Sequence, residues 1–584
     1  MNPAGNRDSG FGLSRAESRG IRDAGDSALL LELDAVIDPA VNARAIAIAA
    51  AVAAEGRAGV RDVIPTYRSV AVHFDPLVAD VDALRELLRR AADAPPAVNV
   101  GALVEVPVAY GGENGPDLDE VAAFANLSPA AVVERHCAAE YRVFMLGFLP
   151  GFAYMGTVED AIAAPRKATP RTRIPAGSVG IAGKQTGVYP RQSPGGWQLI
   201  GRTGLQVFDP FRTPASLFAP GDRVRFVAEP RTAKVERQTS NLEPRTSGSR
   251  IPDPGSRSIT VIRPGLFTTI QDSGRWGYQD RGVPVAGPMD RRSHRLANAL
   301  VGNAPDAATL EATLLGPELR FEQPLRVAIA GADLGASVDG TAIAVDSVHA
   351  CAAGSVLRFG ERRLGTRGYV ALEGGIDVPR VLGSRATHVI SELGGIDGRA
   401  LKAGDRLPLC EPISQARRPP GSAPLAMAGG ARVRVMRGPQ DEYFDEQAFD
   451  VLQHTRFVIS PESNRMGYRL RIPLDSARGK PDPPRLRSGQ AGSSLMSLGV
   501  RSAGAMISDA TFMGGLQVPP SGEPILLMAD RQTTGGYPQI ATVITADLPL
   551  AGQLAPGDWI EFALCTRREA IDALREQDEA LRAV

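Results

Sequence analysis

The first hundred residues alternate between apolar runs typical of strands and stretches with apolar residues at helical spacing. In the second helical stretch the apolar residues from Val81 to Leu88 share one face, and the first has Pro39 near its start, where proline is tolerated. The order strand, helix, strand, strand, helix predicts a small α+β domain of split-βαβ type over residues 21–97. Its elements are predicted at 27–33, 39–54, 59–65, 69–74 and 78–92.

A second pattern begins at Ser128, which is suited to cap a helix that has Pro129 in its first turn. That helix leads to His136. Over 143–228, short apolar runs alternate with glycine and proline turns, which predicts an all-β, barrel-like domain. Together with the β-like run before the helix, this unit is predicted to extend over 98–229.

Three polar stretches have no hydrophobic period. Residues 1–20 lack the apolar segment of a secretory signal and are expected to be a disordered tail. Residues 230–257 predict a linker between two halves, and 476–493 predict a disordered surface loop in the second half. The second half is divided into β-rich units at 258–416 and 417–566 and a C-terminal helix at 567–584.

One turn-and-strand phrase, Ala-Pro-Gly-Asp followed by alternating apolar residues, occurs at 219–226 and again at 555–562. A looser copy lies at 401–409. Three copies suggest three related β-rich units, one before the linker and two after it. The alternative is a common phrase that arose independently, and the sequence leaves both interpretations open.

Charge and cysteine content narrow the classes of function. Lysine plus arginine and aspartate plus glutamate both number 65, so no net field favours nucleic acid as a partner. The four cysteines lie far apart and the six histidines lack metal-ligand spacing, so no metal site is expected. The apolar run 43–54 is too short to cross a bilayer, and we expect a cytoplasmic protein without a membrane partner.

The densest cluster of glycine, proline, aromatic and arginine residues lies at 141–202. Proline fixes φ and glycine admits positive φ, so this backbone is held in specific turns, and exposed turns with arginine and tyrosine often bind ligands. The alternative is a set of turns that only closes a barrel. Residues 177–186 approach a phosphate-binding loop but fail its spacing at Ser178 and Gln185.

The second half carries further turns with arginine. Gln271, Asp272 and Arg275 lie at a predicted turn, where Asp272 is equally suited to a structural Asx turn. A guanidinium group offers a fork of donors matched to carboxylate or phosphate, so arginine with glutamine, asparagine and tyrosine on glycine-rich turns suits a polar anion. The sequence contains no Ser-His-Asp elbow, paired-carboxylate signature or dinucleotide fingerprint.

The stretch 136–155 followed by 169–197 resembles the first allophanate-hydrolase-type carboxyltransferase domain, the family of the B subunit of 5-oxoprolinase and of the Kip kinase inhibitor. Other motifs resemble the second domain of that type, the family of the C subunit of 5-oxoprolinase and of the Kip antagonist. These motifs lie at 265–290, 437–439, 464–467 and 531–538. The chain is therefore identified as a fused B–C member of this family, which is also related to the carboxyltransferase domains of urea amidolyase.

The resemblance implies a mainly β protein with α+β parts, in which a small split-βαβ N-terminal domain precedes cyclophilin-like β-barrel domains. It implies ATP-dependent opening of 5-oxo-L-proline to L-glutamate with a separate A subunit of LamB/YcsF type, ATP being bound as its magnesium complex. One alternative is a biotin-dependent carboxyltransferase component, and another is a non-catalytic regulator of a sensor histidine kinase. No Met-Lys-Met motif is present, so covalently bound biotin is not expected, and a homo-oligomer is left open.

The candidate site combines motifs from both halves. The phrases Gly195-Gly196-Trp197 and Gly535-Gly536-Tyr537 match in form, and we expect the turns that carry Arg173 and Arg531 to face one anionic ligand. The catalytic candidates are His136, Arg173, Gln271, Asp272 and Arg531. The binding candidates are Tyr141, Phe148, Tyr154, Arg171, Lys184, Gln185, Gly195, Gly196, Trp197, Arg275, Arg437, Asn464, Arg465, Gln532, Thr533, Gly535, Gly536 and Tyr537.

Overall fold

The computed structural model describes residues 20–95, 101–229, 257–412, 429–472, 498–500 and 506–583. The predicted tail before residue 20, the predicted linker up to residue 256 and the predicted loop at 476–493 lie outside these residues. Strands predominate in the described chain, and two closed seven-stranded barrels confirm the expected mainly β fold with cyclophilin-like barrels. No helix of the described ranges combines the length and apolar character needed to cross a membrane.

The N-terminal unit is an antiparallel sheet in the order β1-β2-β4-β3 with two helices on one face. The helices begin where Asp38 and Asp80 accept hydrogen bonds from backbone N–H groups of the first turn. The other face packs against Ala510 and Phe512 of the second half, so all six residues of β4 are buried. The elements are β1 (Ile21–Asp23), β2 (Ala28–Glu32), α1 (Pro39–Ala54), β3 (Val60–Pro65), β4 (Ser69–Phe74) and α2 (Val81–Asp93).

The first barrel is filled by apolar side chains such as Val106, Val143, Ile181 and Phe226 and is therefore a packed core rather than a channel. The elements are β5 (Leu103–Tyr110), α3 (Leu118–Ala125), α4 (Pro129–Ala138), β6 (Glu140–Leu146), β7 (Ala153–Gly156), β8 (Arg171–Ile174), β9 (Ser178–Ala182), β10 (Gln185–Val188), β11 (Ser193–Gly195), β12 (Gln198–Arg202) and β13 (Arg223–Ala228). The barrel closes in the order β10-β7-β6-β13-β5-β12-β9, and β8 and β11 form a separate pair.

The second half opens with two packed sheets whose shared core includes Ile259, Leu310, Val327 and Leu357. The elements are β14 (Ser258–Arg263), β15 (Phe267–Gln271), α5 (Arg291–Leu300), β16 (Thr309–Thr313), β17 (Glu318–Phe321), β18 (Leu325–Asp333), β19 (Ser337–Val338), β20 (Thr341–Ala342), β21 (Ser347–Cys351), β22 (Val356–Arg358), β23 (Leu364–Leu372) and β24 (Arg406–Pro408). The sheet orders are β20-β19-β22-β17-β14-β24 and β15-β16-β23-β18-β21, so this unit is not a closed barrel.

The second barrel closes in the order β25-β32-β29-β30-β27-β26-β33, and β28 pairs with β31 beside it. Its elements are β25 (Gly430–Arg437), α6 (Glu446–His454), β26 (Phe457–Ile459), β27 (Gly467–Arg471), β28 (Asp509–Ala510), β29 (Gly515–Gln517), β30 (Ile525–Leu527), β31 (Thr534–Gly535), β32 (Gln539–Val543), α7 (Leu548–Gly552) and β33 (Trp559–Leu564). Helix α8 (Arg567–Arg582) follows it.

The repeated Pro-Gly-Asp phrase marks equivalent places in the two barrels. It leads into β13 and β33, each of which pairs in parallel with the first strand of its barrel and antiparallel with another strand. The looser copy leads into β24, which is the edge of an open sheet. The repeat therefore relates two units, and the third copy does not belong to a barrel.

Candidate functional site

The N-terminal sheet meets the second half along β3. A bulge lies between Val60 and Asp62, and bulges re-aim the side chains of a strand. The Asp62 carboxylate accepts hydrogen bonds from the backbone N–H groups of Gly277 at 3.0 Å and Gln279 at 3.2 Å, and from the Gln279 side-chain amide at 3.1 Å. Burial raises the pKa of Asp62, and these bonds oppose that rise.

A cavity of about 390 Å³ lies beside this contact. It is bounded by the N-terminal sheet, the start of α5, the second barrel and α8. Its volume falls within the range of small-molecule sites, about 300–1,000 Å³. The lining side chains that bear on function are Arg61, His73, Trp276, Arg291, Phe512 and Arg531.

Arg531 is fixed in the cavity wall by two hydrogen bonds. Its Nη2 donates to Gln279 Oε1 at 2.9 Å, and its Nε donates to the Thr511 carbonyl at 3.4 Å. Asp62 therefore orients Gln279, and Gln279 orients Arg531. Burial lowers the pKa of Arg531 to about 10, and the nearby Asp62 carboxylate opposes the shift. The guanidinium group still keeps its charge at neutral pH.

The side chain of Arg291, the first residue of α5, makes no hydrogen bond or ion pair with any residue that the structure describes. Its pKa is lowered to about 10, chiefly by desolvation, with Arg61 adding to the shift and Asp75 opposing it. Arg61 pairs with Asp75 at 2.5 Å and lies over the Trp276 ring, 4.8 Å from its centroid. Arg291 is thus a part-buried cation that lines the cavity without a hydrogen-bonded or ion-paired anion among the described residues, so its guanidinium group remains available to an anionic ligand.

His73 is buried in the same wall, and its ring packs against Phe512 with the ring centroids 5.2 Å apart. Burial lowers the pKa of His73 to about 3, and Arg531 and Arg61 contribute, so the imidazole is neutral at physiological pH. Its Nε2 is buried without a hydrogen-bond partner in the described chain. Such an atom calls for an explanation, and a bound ligand or water provides one.

The lining of the cavity is strongly positive although the whole chain has no net charge. Six arginines and three aspartates line it, which leaves an excess of three positive charges. These residues are Arg61, Arg291, Arg292, Arg295, Arg531 and Arg582, with Asp75, Asp306 and Asp578. The arrangement is suited to bind an anion.

Across the described ranges, no cluster of three histidine, cysteine or acidic side chains is placed to hold a metal ion.

Gln271, Asp272 and Arg275 do not line the cavity. The Asp272 carboxylate accepts hydrogen bonds from the backbone N–H of Gly274 and from the segment 381–387. Asp272 is therefore the structural Asx-turn residue that the sequence offered as an alternative. Arg275 and Gln271 donate to backbone carbonyls of that same segment. The three side chains expected to act on a ligand therefore hold a loop against β15.

Arg465 lies in a buried polar network between the two units of the second half. Its guanidinium donates to Asp530 at 2.9 Å, to Glu311 and to the Gly287 carbonyl. Its neighbour Asn464 accepts a hydrogen bond within its own turn. The network joins the units and does not reach the cavity as a lining group.

His136 is a satisfied core histidine, which differs from the expected catalytic role. Its Nδ1 lies 2.7 Å from the Tyr110 hydroxyl, and its Nε2 lies 3.0 Å from Thr186 Oγ1. The ring stacks on Phe226, and Tyr141 donates to the His136 backbone carbonyl. Burial lowers the pKa of His136 to about 3. Spacing along the chain could not reveal that the helix directs this ring into the barrel.

Phe148, Tyr154 and Trp197 form part of one aromatic cluster in the first barrel. The loop beside this cluster touches the second barrel, because Gly147 lies so close to Thr534 of β31 that any side chain at 147 would collide with it. The aromatic turn of the first half therefore meets the glycine phrase of the second half. This contact lies apart from the residues that line the cationic cavity.

The pair β8–β11 is held against the first barrel by polar contacts. Arg171 and Gly195 are partners in the β8–β11 register, and Arg171 donates to Asp117 at 2.5 Å. The Gly196 carbonyl accepts from the backbone N–H of Lys167. These candidates thus have structural partners.

Three other binding candidates interact with side chains away from the cavity. Lys184 pairs with Asp160, Gln185 donates to the Tyr67 hydroxyl and Arg437 pairs with Glu446.

The candidates that follow Arg531 are Gln532, Thr533, Gly535, Gly536 and Tyr537. The carbonyls of the first two bind Thr511, the glycines lie at β31, and the Tyr537 ring is 42% exposed.

Arg173 and Arg531 are not brought together, contrary to the expected shared site. Arg173 is exposed on β8 and donates to Gln192 at 3.3 Å, whereas Arg531 is buried beside Gln279. The two glycine phrases match in sequence, but the arginines near them lie at different places relative to the barrels. Local likeness of turns did not determine their tertiary positions.

Arg61, His73 and Arg291 were missed as site residues. Arg61 and His73 lie on the neighbouring strands β3 and β4, whose other residues are mostly apolar. Polar side chains on such strands could have indicated a site. Arg291 follows Asp290, the cap of α5, in a motif already singled out. Only the packing of the halves shows that these side chains converge.

Two parts of the chain match known families. Residues 19–218 match the family described as carboxyltransferase domain, subdomain C and D, and residues 281–564 match carboxyltransferase domain, subdomain A and B. The cavity therefore takes Arg61 and His73 from the first matched region and Arg291 and Arg531 from the second.

Individual relatives agree with this division. The chain is similar to the C subunit of 5-oxoprolinase from Escherichia coli strain K12, with 36% identity over 319 residues, 55% of this chain and 95% of the relative. It is similar to the B subunit of 5-oxoprolinase from Bacillus subtilis strain 168, with 43% identity over 219 residues, 35% of this chain and 91% of the relative. Urea amidolyase of Saccharomyces cerevisiae is 32% identical over 340 residues, 56% of this chain but 18% of the relative. The solved structure of TTHA0988 has 35% identity and a TM-score of 0.77, covering 92% of this chain and 99% of that chain.

Proposed function

Because the chain belongs to the carboxyltransferase-domain family that includes the B and C subunits of 5-oxoprolinase, we propose that it is the fused B–C component of an ATP-dependent 5-oxoprolinase. The reaction opens 5-oxo-L-proline to L-glutamate. A separate A subunit of LamB/YcsF type supplies the rest of the enzyme. Support for a further subunit comes from the relatives, whose names make them the B and C parts of one enzyme.

The observation that carries the proposal is the cationic cavity built jointly by both matched regions. Arg531 is a buried cation and Arg291 a part-buried one, and Arg531 is oriented through Gln279 by Asp62 of the other half. Both 5-oxoproline and ATP are anions, so the cavity suits a component of this reaction. A site completed only when the two halves meet also gives a physical reason for the B and C parts to act together.

The chemistry requires activation of a lactam, because an amide carbonyl resists attack by water. Transfer of the γ-phosphoryl group of ATP to the lactam oxygen makes the carbonyl carbon more electrophilic and provides a leaving group. Water then adds, the C–N bond breaks, the nitrogen takes a proton, and a second water releases phosphate. The arginines of the cavity stabilise charge on an anionic reactant during this sequence.

The direct test is reconstitution with the purified chain, a LamB/YcsF-type subunit, magnesium, ATP and 5-oxo-L-proline. We expect glutamate and ADP to form together only when both proteins and ATP are present. Robust glutamate release by the chain and ATP without the partner would overturn the division of labour. Failure of the reconstituted mixture to make glutamate would overturn the proposed reaction.

A biotin-dependent carboxyltransferase is the second candidate, and the similarity to Saccharomyces cerevisiae urea amidolyase favours it. It requires a biotin carrier from another chain. Incubation with a carboxylated biotin carrier and urea distinguishes the candidates. Urea-dependent loss of the carboxyl group from biotin supports the carboxyltransferase, and its absence in a preparation that makes glutamate supports the 5-oxoprolinase component.

A further inference from the structure

We infer that the cationic cavity between the two halves binds the phosphate chain of a nucleoside triphosphate. This inference rests on the proposed ATP-dependent function and assigns the nucleotide to a site made by both halves. The lining residues Arg61 and His73 precede the predicted linker, and Arg291 and Arg531 follow it. Three further observations support the inference. They are the charge of the cavity lining, the polar atoms in it that have no hydrogen-bond partner, and its apolar side chains.

The charge of the lining selects among anions. Its arginines outnumber its aspartates six to three, so the lining suits a polyanion better than a monocarboxylate such as 5-oxoproline. A triphosphate carries three to four negative charges at neutral pH and matches the excess. Charges withdrawn from water are stable only when paired, so the more highly charged reactant is the better occupant.

Unsatisfied groups converge on the cavity. Arg291 has no ion pair or hydrogen bond within the described chain, and Arg531 uses Nε and Nη2 but has no such partner at Nη1. His73 Nε2 is buried and unpartnered, and a neutral imidazole retains one N–H that can donate to a phosphate oxygen. Guanidinium forks and an N–H donor are the groups that recognise phosphate in proteins.

The lining also contains apolar side chains, among them Phe74, Phe512, Leu574 and Leu581. A cavity lined by both cationic and apolar side chains suits a nucleotide, whose phosphates are charged and whose base is flat and apolar on its faces. A cavity of about 390 Å³ also exceeds what a small lactam acid needs.

Calorimetric titration of the full chain with magnesium and ATP tests the inference, with pyrophosphate and 5-oxo-L-proline as separate probes. The variants are Arg291→Met and Arg531→Met, which keep an apolar stem and remove the charge. The control is Arg320→Ala, which removes an exposed arginine paired with Glu322 on the surface. Thermal unfolding of each variant without ligand verifies that it is folded.

We expect ATP to bind the chain, pyrophosphate to compete with it, and both site variants to raise the dissociation constant at least tenfold, with Arg320→Ala unchanged. Absence of ATP binding, or wild-type affinity in Arg291→Met, overturns the inference. Displacement of ATP by 5-oxo-L-proline with the same dependence on Arg291 also overturns it and assigns the cavity to the lactam acid. ATP bound in the cavity without glutamate formation in the reconstituted enzyme would leave the inference standing while the proposed function fails.

Discussion

Asp62 and Gln279 lie 217 positions apart in sequence, yet the Asp62 carboxylate accepts hydrogen bonds from both the backbone N–H and the side-chain amide of Gln279. Gln279 in turn accepts from Arg531. The contact therefore joins the two halves of the chain, and it also sets the position of Arg531 in the cavity wall.

Asp62→Ala should both destabilise the chain and impair the cavity. Three donors would lose a charged acceptor in a buried contact, so we expect a loss of about 2–4 kcal/mol in the free energy of unfolding, since hydrogen bonds to charged groups contribute about 1.5–3 kcal/mol each but not additively. Denaturant unfolding measures this. Asp160→Ala, which removes an exposed carboxylate paired with Lys184, is the control. A change no larger in Asp62→Ala than in the control would contradict the role of the contact.

Arg465→Met should be strongly destabilising. Burial alone would raise the pKa of Asp530, and Arg465 instead holds it below its ordinary value, so removal of Arg465 takes the ion-pair partner from the buried Asp530 carboxylate and one of the partners from Glu311. Breaking one side of a buried ion pair costs about 3–5 kcal/mol. Arg456→Met removes a cation from an exposed pair with Glu561 and should cost less than about 1 kcal/mol. Equal melting temperatures for the two variants would show that the network contributes nothing.

His136→Phe separates a structural from a catalytic role. The substitution keeps an aromatic ring in the barrel but removes the bonds to Tyr110 and Thr186, so we expect a loss of about 1–3 kcal/mol in stability. Turnover per folded molecule in the reconstituted enzyme should stay at the wild-type level. If a sample of the variant is fully folded by circular dichroism but has lost turnover, His136 has a catalytic role.

Glu32 gives the stability a specific pH dependence. Burial, and to a smaller extent the nearby Asp509 and Glu442 carboxylates, raise the pKa of Glu32 to about 7. Arg68 and Arg22 also face Glu32 and oppose the rise. Because the folded-state pKa is raised, the associated stability is present below pH about 4.5 and is lost as pH rises through about 7.

We therefore expect the stability of the wild type relative to Glu32→Gln to fall by about 1–3 kcal/mol between pH 4.5 and 8. Urea unfolding of both proteins across this range measures the difference, in which the titration of groups that do not interact with Glu32 cancels. Glu86→Gln changes an exposed carboxylate and should show no such trend. A constant difference between wild type and Glu32→Gln would mean that Glu32 titrates normally.

Local patterns predicted much of the fold. Helix α1 occupies the predicted 39–54, because its cap and its proline are encoded within a few residues. The repeated phrase correctly related two barrels, since a turn followed by an alternating strand is a local property. The pattern could not show that both faces of β4 are buried, because the second face packs against residues more than 400 positions away.

The candidate site was less predictable for the same reason. Arg531 was identified because it lies on a turn with a distinctive composition, and it lines the cavity. Arg173 has similar surroundings in sequence but lies exposed on β8. His73 is an isolated polar residue in a strand, and its significance depends on Arg531 and Arg61 approaching it from elsewhere in the fold.

Glutamate formation by Arg291→Met in the reconstituted enzyme, measured on samples whose melting temperature is also recorded, shows whether the cavity is a functional anion site. The Arg291 side chain is part-buried and makes no ion pair or hydrogen bond within the described chain, so its removal should leave the melting temperature without ligand nearly unchanged. The same change should lower the rate at least tenfold, because a charged hydrogen bond to an anion contributes about 1.5–3 kcal/mol. A rate within about twofold of the wild type and of Arg320→Ala, a difference well under 1 kcal/mol, would contradict a functional anion site at this cavity.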